Sequence, residues 1–200
     1  MQLLYSPFSP FARKVRIVAF EAGLQDRIEV VTTSTEDPAS GLSAHNPLNK
    51  LPVLETEFGP LYDSPVICEY LDTLHDGPKL FPAAGPARWR ALRWQALADG
   101  LQDAALLIRY EASLRPAERQ HEPYVERQQA KIRRALDRME ADAAELDGAP
   151  TIGSIAAAAA LGYLDLRFAD WGWRDGHPRL AAWHAAFAQR PSYATTEVKA

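Results

Sequence analysis

The chain has 200 residues, of which 47% are hydrophobic and 24% are charged, and its formal net charge is −4. This composition is that of an ordinary soluble globular protein, and the length fits one large domain or two small ones. No basic stripe predicts nucleic-acid binding, and the longest apolar run, near residues 155–161, is too short to span a bilayer. Met1 leads directly into a predicted strand with no signal peptide, so we expect a cytoplasmic protein.

Cysteine and histidine place further limits on the chemistry. The single cysteine, Cys68, excludes an intrachain disulfide and a Cys-x-x-Cys dithiol, and we expect it to be a buried core thiol. The five histidines lack the spacing of metal ligands, so we expect no metal site.

The first elements alternate between strand and helix. Residues 2–5 form a short apolar run typical of a buried strand, and residues 10–23 place apolar side chains on one helical face. Residues 28–31 form a second strand-like run. A strand, a helix and a strand of these lengths predict a βαβ unit with parallel pairing.

Ser9 stands at the start of the first predicted helix, directly before Pro10. Proline is favoured at the first helical position and serine is a strong N-cap. We therefore expect the Ser9 hydroxyl to lie at the positive end of a helix, beside free backbone N–H groups, where an anion is held favourably. A capping role alone would also explain Ser9, and Ser6 and Tyr5 are rival hydroxyl donors.

The next segment adds two strands and a helix. Residues 32–50 read as a loop with one helical turn near 40–45. Residues 51–55 predict a strand with a proline, Pro52, at its start, and that proline can be cis. Residues 61–62 predict the short partner strand. A second Ser-Pro pair at Ser64 then opens a helix. The predicted order is βαβ followed by ββα, an α/β domain with a mixed four-stranded sheet.

Residues 77–86 contain three prolines and two glycines and are the best candidate for a linker. The predicted domains are therefore residues 1–76 and residues 87–200. The second has apolar side chains every three or four positions, which is typical of an all-α helical bundle.

The helical part has three clear segments after its first long helix. Apolar positions recur through residues 123–147, and Thr151 opens an alanine-rich helix that we expect to be central. A last helix is predicted from Arg179 to Gln189, ended by Arg190 and Pro191.

Four segments in this order resemble the glutathione S-transferase superfamily, and the resemblance covers nearly the whole chain. They are a helix start, a loop around a proline, a second helix start and a segment of the central helix, at residues 9–16, 46–54, 62–71 and 161–168. The first is similar to the activating segment of serine-type and cysteine-type bacterial members, and we identify the chain with the bacterial serine type. The resemblance implies a thioredoxin-like N-terminal domain joined to an all-helical domain.

One position departs from the family pattern. Members usually carry an acidic residue at the third position of the central helix, where this chain has Ser154. Ser154 can still reach back to Thr151, but without a charge. We expect a helix start weaker by a few tenths to about 1 kcal/mol and an intact fold.

The resemblance implies a binding site for glutathione as co-substrate. This tripeptide has a thiol, an ammonium group and two carboxylates. By this resemblance Asp63 is placed to bind the ammonium group, Ser64 to donate to the γ-glutamyl carboxylate and Lys50 to pair with the glycine carboxylate. If the Leu51–Pro52 bond is cis, Leu51 can pair with the peptide backbone as a strand would. Helix capping by Asp63 and Ser64, and solvation of Lys50, are the alternatives.

The thiol must become a thiolate because the thiolate is the nucleophile. Ser9 would donate a hydrogen bond to that thiolate rather than act as a base. Lowering a thiol pKa by two units takes about 2.7 kcal/mol. One charge-assisted hydrogen bond of about 1.5–3 kcal/mol and a helix dipole of about 0.3–1 kcal/mol suffice. Arg13, in the first turn, is a further candidate for stabilising the anion.

The second substrate is expected between the domains, with Phe8 and Phe11 as the floor of its pocket and Leu107 or Tyr110 as a wall. Asp99 and Asp103 share a helical face and are candidates for polar groups near glutathione, with solvation as the alternative.

The sequence thus predicts a glutathione transferase that acts on an electrophilic small molecule, as in detoxification. A homodimer is expected, with no nucleic acid, membrane or metal partner. A glutathione-dependent reductase, lyase or isomerase is the alternative at the same site, and a non-catalytic binding or regulatory module is the alternative of another class.

Overall fold

The computed structural model describes residues 1–198, which fall into two units by their internal contacts. The first unit comprises Met1–Trp89 together with the segment from Gln189 onward, and the second comprises Arg90–Ala188. Within the described residues, no helix combines the length and apolar composition that crossing a bilayer requires.

A mixed four-stranded sheet organises the first unit. Its strands are β1 (Gln2–Tyr5), β2 (Glu29–Thr32), β3 (Val53–Thr56) and β4 (Gly59–Leu61). They lie in the order β2-β1-β3-β4, with β1 parallel to β2 and antiparallel to β3, and with β3 antiparallel to β4. The predicted βαβ-ββα order is confirmed.

Helices of the first unit pack beside this sheet and against each other. The helices of the first unit are α1 (Pro10–Glu21), α2 (Leu42–His45), α3 (Ser64–Thr73) and α8 (Pro191–Thr196). α1 packs against α3, and the apolar positions that the sequence placed on their inner faces, among them Val15, Val18, Ile67 and Leu71, are fully buried. The periodic pattern therefore identified the core correctly because burial follows the helical repeat.

The second unit is all helical, as predicted. Its helices are α4 (Gly85–Leu114), which begins in the first unit, α5 (Glu122–Ala141), α6 (Ile152–Arg167) and α7 (Pro178–Phe187). One apolar cluster joins them, with members such as Trp94, Leu101, Ile132, Leu161 and Leu180. Every residue of α6 from Ile152 to Leu164 is buried, which confirms its predicted central place.

The start of α6 keeps a complete capping box without an acidic residue. The Thr151 N–H donates to Ser154 Oγ at 2.9 Å, and the Ser154 N–H donates to Thr151 Oγ1 at 3.4 Å. The Ser154 hydroxyl also donates to the Thr151 carbonyl at 2.9 Å. A short hydroxyl side chain therefore makes the reciprocal contacts that a glutamate usually makes.

The end of the chain differs from the sequence prediction. Arg190 and Pro191 were expected to end the last helix, but α7 ends at Phe187 and Pro191 is the first residue of α8. The physical reason is that proline is compatible with the first helical position, where its missing N–H is not needed.

The predicted linker is bound tightly to α3. The carboxylate of the buried Asp72 accepts the backbone N–H of Leu80 at 2.8 Å and that of Phe81 at 3.1 Å, and Lys79 Nζ donates to the Asp72 carbonyl at 2.7 Å. These bonds attach residues 79–81 of the predicted linker to the first unit, which continues to Trp89. The limits 1–76 and 87–200 stay a prediction.

A remote carboxylate caps α7. The side chain of the N-cap residue His177 makes no capping hydrogen bond to α7 among the described residues, and Glu140 of α5 accepts the N–H groups of Arg179 at 3.2 Å and Leu180 at 2.8 Å. The Arg179 Nε also donates to it at 3.1 Å. Burial opposes the charge, but these hydrogen bonds outweigh it and hold the pKa of Glu140 below its ordinary value of 4.5.

Gly153 is required by close helix packing. A Cβ at this position would lie 2.6 Å from Trp94 Cβ and 2.7 Å from the Ala91 carbonyl oxygen. We predict that Gly153→Ala lowers the free energy of unfolding by about 1–3 kcal/mol because α4 and α6 must separate. Urea denaturation measures this change.

Gly100→Ala is the matched control because nothing lies within 4 Å of its Cβ position in α4. Alanine is the better helix former, so this variant should be as stable as the wild type or more stable by up to about 1 kcal/mol. Equal losses in both variants would contradict the packing argument.

Glu140 also predicts an acid-dependent contribution to stability. Because its pKa is lowered in the folded chain, the stabilisation is present above the ordinary pKa of 4.5 and is lost as the pH falls below it. Glu140→Gln should therefore be less stable than the wild type at neutral pH and should lose less stability on acidification.

Denaturation curves at several pH values measure this difference. Glu126→Gln, which changes an exposed carboxylate of the same helix, is the control and should keep the wild-type pH dependence. A Glu140→Gln curve parallel to that of the wild type would rule out the capping role.

Candidate functional site

Ser9 is the N-cap of α1, as the sequence predicted. Its Oγ accepts the N–H of Ala12 at 3.2 Å, and its carbonyl accepts the N–H of Arg13 at 3.0 Å. Since the oxygen already accepts from the backbone, the O–H proton is available to donate to another group. The side chain is only partly buried, so that group can be a ligand.

The turn before Ser9 fixes its backbone. The Ser9 N–H donates to the Ser6 carbonyl at 3.0 Å, which closes the turn between β1 and α1. Tyr5, the other rival donor, ends β1 with its ring 5.4 Å from the Arg16 guanidinium. The structure thus uses the backbone of Ser6 to position Ser9.

Arg13 has contacts other than the expected one with an anion at Ser9. Its guanidinium carbon lies 4.0 Å above the ring of Tyr193, and its Nη2 donates to the Tyr193 carbonyl at 3.3 Å. Only 9% of Arg13 is exposed. In the described part of the chain these contacts orient Arg13 towards α8, because a stacked ring and a carbonyl offer it partners there.

The loop before β3 is held by Asn46, a buried residue. Its Nδ2 donates to the Lys50 carbonyl at 2.9 Å, and its Oδ1 accepts the Leu48 N–H at 3.0 Å. The Lys50 side chain is exposed. Sequence analysis did not single out Asn46, although an asparagine before a proline is a known turn signal.

The Leu51–Pro52 peptide bond is cis, as the sequence allowed. Among residues 1–198, neither the N–H nor the C=O of Leu51 makes a backbone hydrogen bond. The main chain of Leu51 is therefore available to pair with an extended peptide.

The start of α3 is capped by Asp63, one of the two capping residues that the sequence offered, whereas Ser64 is the first residue of the helix. The Asp63 carboxylate accepts the N–H of Ser64, which is the first helical residue. The Ser64 Oγ is fully buried and has no hydrogen-bond partner among the described residues. A charged oxygen is the stronger acceptor, which accounts for the choice of cap.

The strand register brings these three segments to one edge of the sheet. Leu4 of β1 lies opposite Val53 of β3, and Leu54 lies opposite Leu61 of β4. The residues that follow β1, precede β3 and follow β4 therefore meet at the same edge. They carry Ser9, Leu51 and Asp63, respectively.

The first unit also holds two predicted aromatic residues. Phe8 is exposed beside Ser9, whereas Phe11 is partly buried in α1 with its ring 5.8 Å from Lys14 Nζ. Cys68 is fully buried, in agreement with a core thiol.

The second unit holds the remaining predicted site residues on α4. Leu107 and Tyr110 line a cavity of about 520 Å³, together with Glu111, Leu114, Arg115, His121 and Tyr124. The buried Glu111 is held by Arg115 Nε at 3.2 Å and by the His121 N–H at 2.8 Å. Asp99 and Asp103 lie on the same helix outside this cavity lining, partly exposed and exposed respectively. The accessible wall is thus mainly aromatic and aliphatic.

Comparisons with known proteins cover both units. A model of the glutathione S-transferase N-terminal domain matches residues 8–74, and one of the C-terminal domain matches residues 122–186. The uncharacterized GST-like protein YibF of Escherichia coli (strain K12) is 36% identical over 98% of this chain and 98% of its own length.

Solved structures are similar over the full length. A glutathione transferase family member from Pseudomonas fluorescens Pf-5, with bound glutathione, is 44% identical with a TM-score of 0.95, and the match covers 100% of this chain and 99% of that one. A second structure of a family member from Pf-5 holds S-(propanoic acid)-glutathione and is 44% identical with a TM-score of 0.92 over 100% of both chains.

Proposed function

Because this chain belongs to the glutathione S-transferase family, we propose that it binds glutathione and that Ser9 stabilises the bound thiolate for attack on an electrophilic small molecule. The observation that carries this proposal is the Ser9 hydroxyl, which accepts from the Ala12 N–H and has its own proton free to donate. Bound glutathione supplies the sulfur nucleophile. In this proposal the chain is a serine-type transferase.

The residues at the sheet edge fit the tripeptide. The backbone of Leu51, which has no backbone partner within residues 1–198, suits an extended peptide, and the exposed Lys50 suits its glycine carboxylate. An unpaired buried hydroxyl costs about 1–3 kcal/mol, and a carboxylate bound at the start of α3 would supply the acceptor that Ser64 lacks. The exposed Asp63 carboxylate suits the ammonium group.

Relatives support this assignment. Family members with 44% identity over the full chain hold glutathione and a sulfur-substituted glutathione in their structures. A cytoplasmic location is part of the proposal because reduced thiols are maintained in that compartment. Detoxification of electrophiles is the physiological role that we expect for such a reaction.

The cavity of the second unit is the proposed site for the electrophile. Its volume of about 520 Å³ lies in the range of small-molecule sites, and Leu107 and Tyr110 are the two predicted wall residues that line it. Such a lining favours an apolar or aromatic electrophile. Phe8, Phe11, Asp99 and Asp103 stay predictions as further contacts.

A homodimer is also proposed. Val66 and Tyr70 share one face of α3, and the Phe58 ring packs edge-on against Tyr70 at 5.5 Å. Val66 and Phe58 are among the most exposed large apolar side chains, which is typical of an interaction surface. Arg88, Arg90 and Arg93, near the start of α4, form ion pairs within the chain, so the proposed interface does not depend on them.

Removal of the Ser9 hydroxyl tests the thiolate role. We predict that glutathione titrated into the wild type shows a thiolate absorption band near neutral pH in ultraviolet difference spectra. Ser9→Ala should shift the midpoint of that band upward by about 1–2 pH units because the hydrogen bond to the sulfur is lost. Because Ser9 also caps α1, circular dichroism should first verify that the variant is folded.

Ser6→Ala is the matched control and should leave the band unchanged, since the turn uses only the Ser6 carbonyl. A loss in Ser6→Ala but not in Ser9→Ala would make Ser6 the donor. Binding without any thiolate band would favour a non-catalytic module, and failure to bind would contradict the glutathione site. A thiolate without conjugation would favour the reductase, lyase or isomerase alternative.

Tyr110→Ala tests the electrophile site. Loss of the ring should raise KM for an aromatic electrophile about tenfold, with KM for glutathione and the thiolate band unchanged. Steady-state kinetics with each substrate varied in turn measures both. Trp171→Ala is the control, since Trp171 is a similarly exposed aromatic residue (39% against 45%) of the same unit outside the cavity. Equal effects of the two variants would remove the cavity from the proposal.

A further inference from the structure

The short helix α8 and the residue before it contact α1 near both ends of α1, although some 180 residues separate the two helices in sequence. α1 carries Ser9 at its N-terminus, and α8 is the segment that the sequence pattern presented only as a helix stop. Both helices belong to the first unit. The contacts between them therefore bear directly on how Ser9 is held.

The first contact is at Glu21, the last residue of α1. Arg190 Nε and Nη2 donate to its two carboxylate oxygens at 2.8 Å each, and the Ser192 hydroxyl donates at 2.5 Å. Burial opposes the charge of Glu21, but the bonds from Arg190 and Ser192 outweigh it and lower its pKa. A bidentate pair of this kind fixes the relative orientation of the two helices.

The second contact is at Arg13, in the first turn of α1. Its guanidinium stacks at 4.0 Å on the Tyr193 ring and donates one hydrogen bond to the Tyr193 carbonyl. Its Nε is buried and has no hydrogen-bond partner among the described residues. A buried cation with so few hydrogen bonds depends strongly on the ring that it stacks against.

Arg13 links the contact with Tyr193 to Ser9, because the backbone of the same turn is hydrogen-bonded to Ser9. The Arg13 N–H donates to the Ser9 carbonyl, and the preceding N–H, that of Ala12, donates to Ser9 Oγ. The first turn therefore makes two of the three hydrogen bonds that orient Ser9, and a movement of the Arg13 main chain changes both of them.

We infer that α8 sets the position of the Ser9 hydroxyl through α1, and that Tyr193 is a positioning residue for the thiolate reaction. This inference rests on the proposed function, because it concerns the same hydroxyl. Tyr193 does not touch the reacting sulfur. Its ring stacks on the Arg13 guanidinium and so fixes the position of Arg13 in the first turn of α1. The backbone N–H groups of that turn orient the Ser9 hydroxyl.

The test compares Tyr193→Ala with Tyr193→Phe in the full chain. Phenylalanine keeps the stacked ring and the backbone carbonyl, whereas alanine keeps only the carbonyl. We expect Tyr193→Ala to move the thiolate titration upward by about half a pH unit or more and to lower kcat about tenfold with KM for glutathione nearly unchanged. Tyr193→Phe should stay within about twofold of the wild type.

Thermal unfolding separates positioning from loss of fold, and the kinetics are measured well below the midpoint of each variant. If Tyr193→Ala does not fold, Tyr193→Leu replaces it with the same expected result, because leucine fills part of the volume of the ring but cannot stack on the Arg13 guanidinium. Loss of stability with an unchanged thiolate titration and unchanged kcat would overturn the inference and leave α8 a purely stabilising element. A wild type without any thiolate band would instead contradict the proposed function, and the inference would fall with it.

Discussion

The antiparallel register of β1, β3 and β4 is the constraint on which the candidate site depends. Leu4 opposite Val53 and Leu54 opposite Leu61 place the end of β1, the start of β3 and the end of β4 at one edge. Successive side chains of a strand point to opposite faces, and the neighbours Val53 and Leu54 are both fully buried, so both faces of β3 are covered. Packing on both faces of the sheet therefore keeps three distant segments of chain together.

Two helices begin at this edge with caps of different charge. Ser9 caps α1 with a neutral hydroxyl, so the positive end of that helix remains available to an anion. Asp63 caps α3 with a carboxylate, which offers an acceptor to a cation, while the hydroxyl of Ser64 beside it has no hydrogen-bond partner in the described part of the chain. The pair of caps therefore suits a ligand with a thiolate at one end and an amino acid head group at the other.

The second unit shows how a family pattern can change without loss of the fold. Ser154 stands where an acidic residue is usual, yet its hydroxyl both accepts from and donates to the backbone of Thr151. Gly153, next to it, allows α4 to approach within a distance that no side chain would permit. Together they allow close packing of a helix whose first 13 residues are all buried.

The sequence by itself determined the features that depend on near neighbours. These are the strand and helix order, the cap at Ser9, the box at Thr151 and the proline that became cis, because capping and periodicity act within a few residues. Only the tertiary structure decided the orientation of Arg13, the hydrogen bonds of Asp72 to the predicted linker and the bonds of Arg190 and Ser192 to Glu21. Each of these involves a buried or half-buried charge, and such a charge takes the partner that the fold brings to it, which for Arg13 lies 180 residues away.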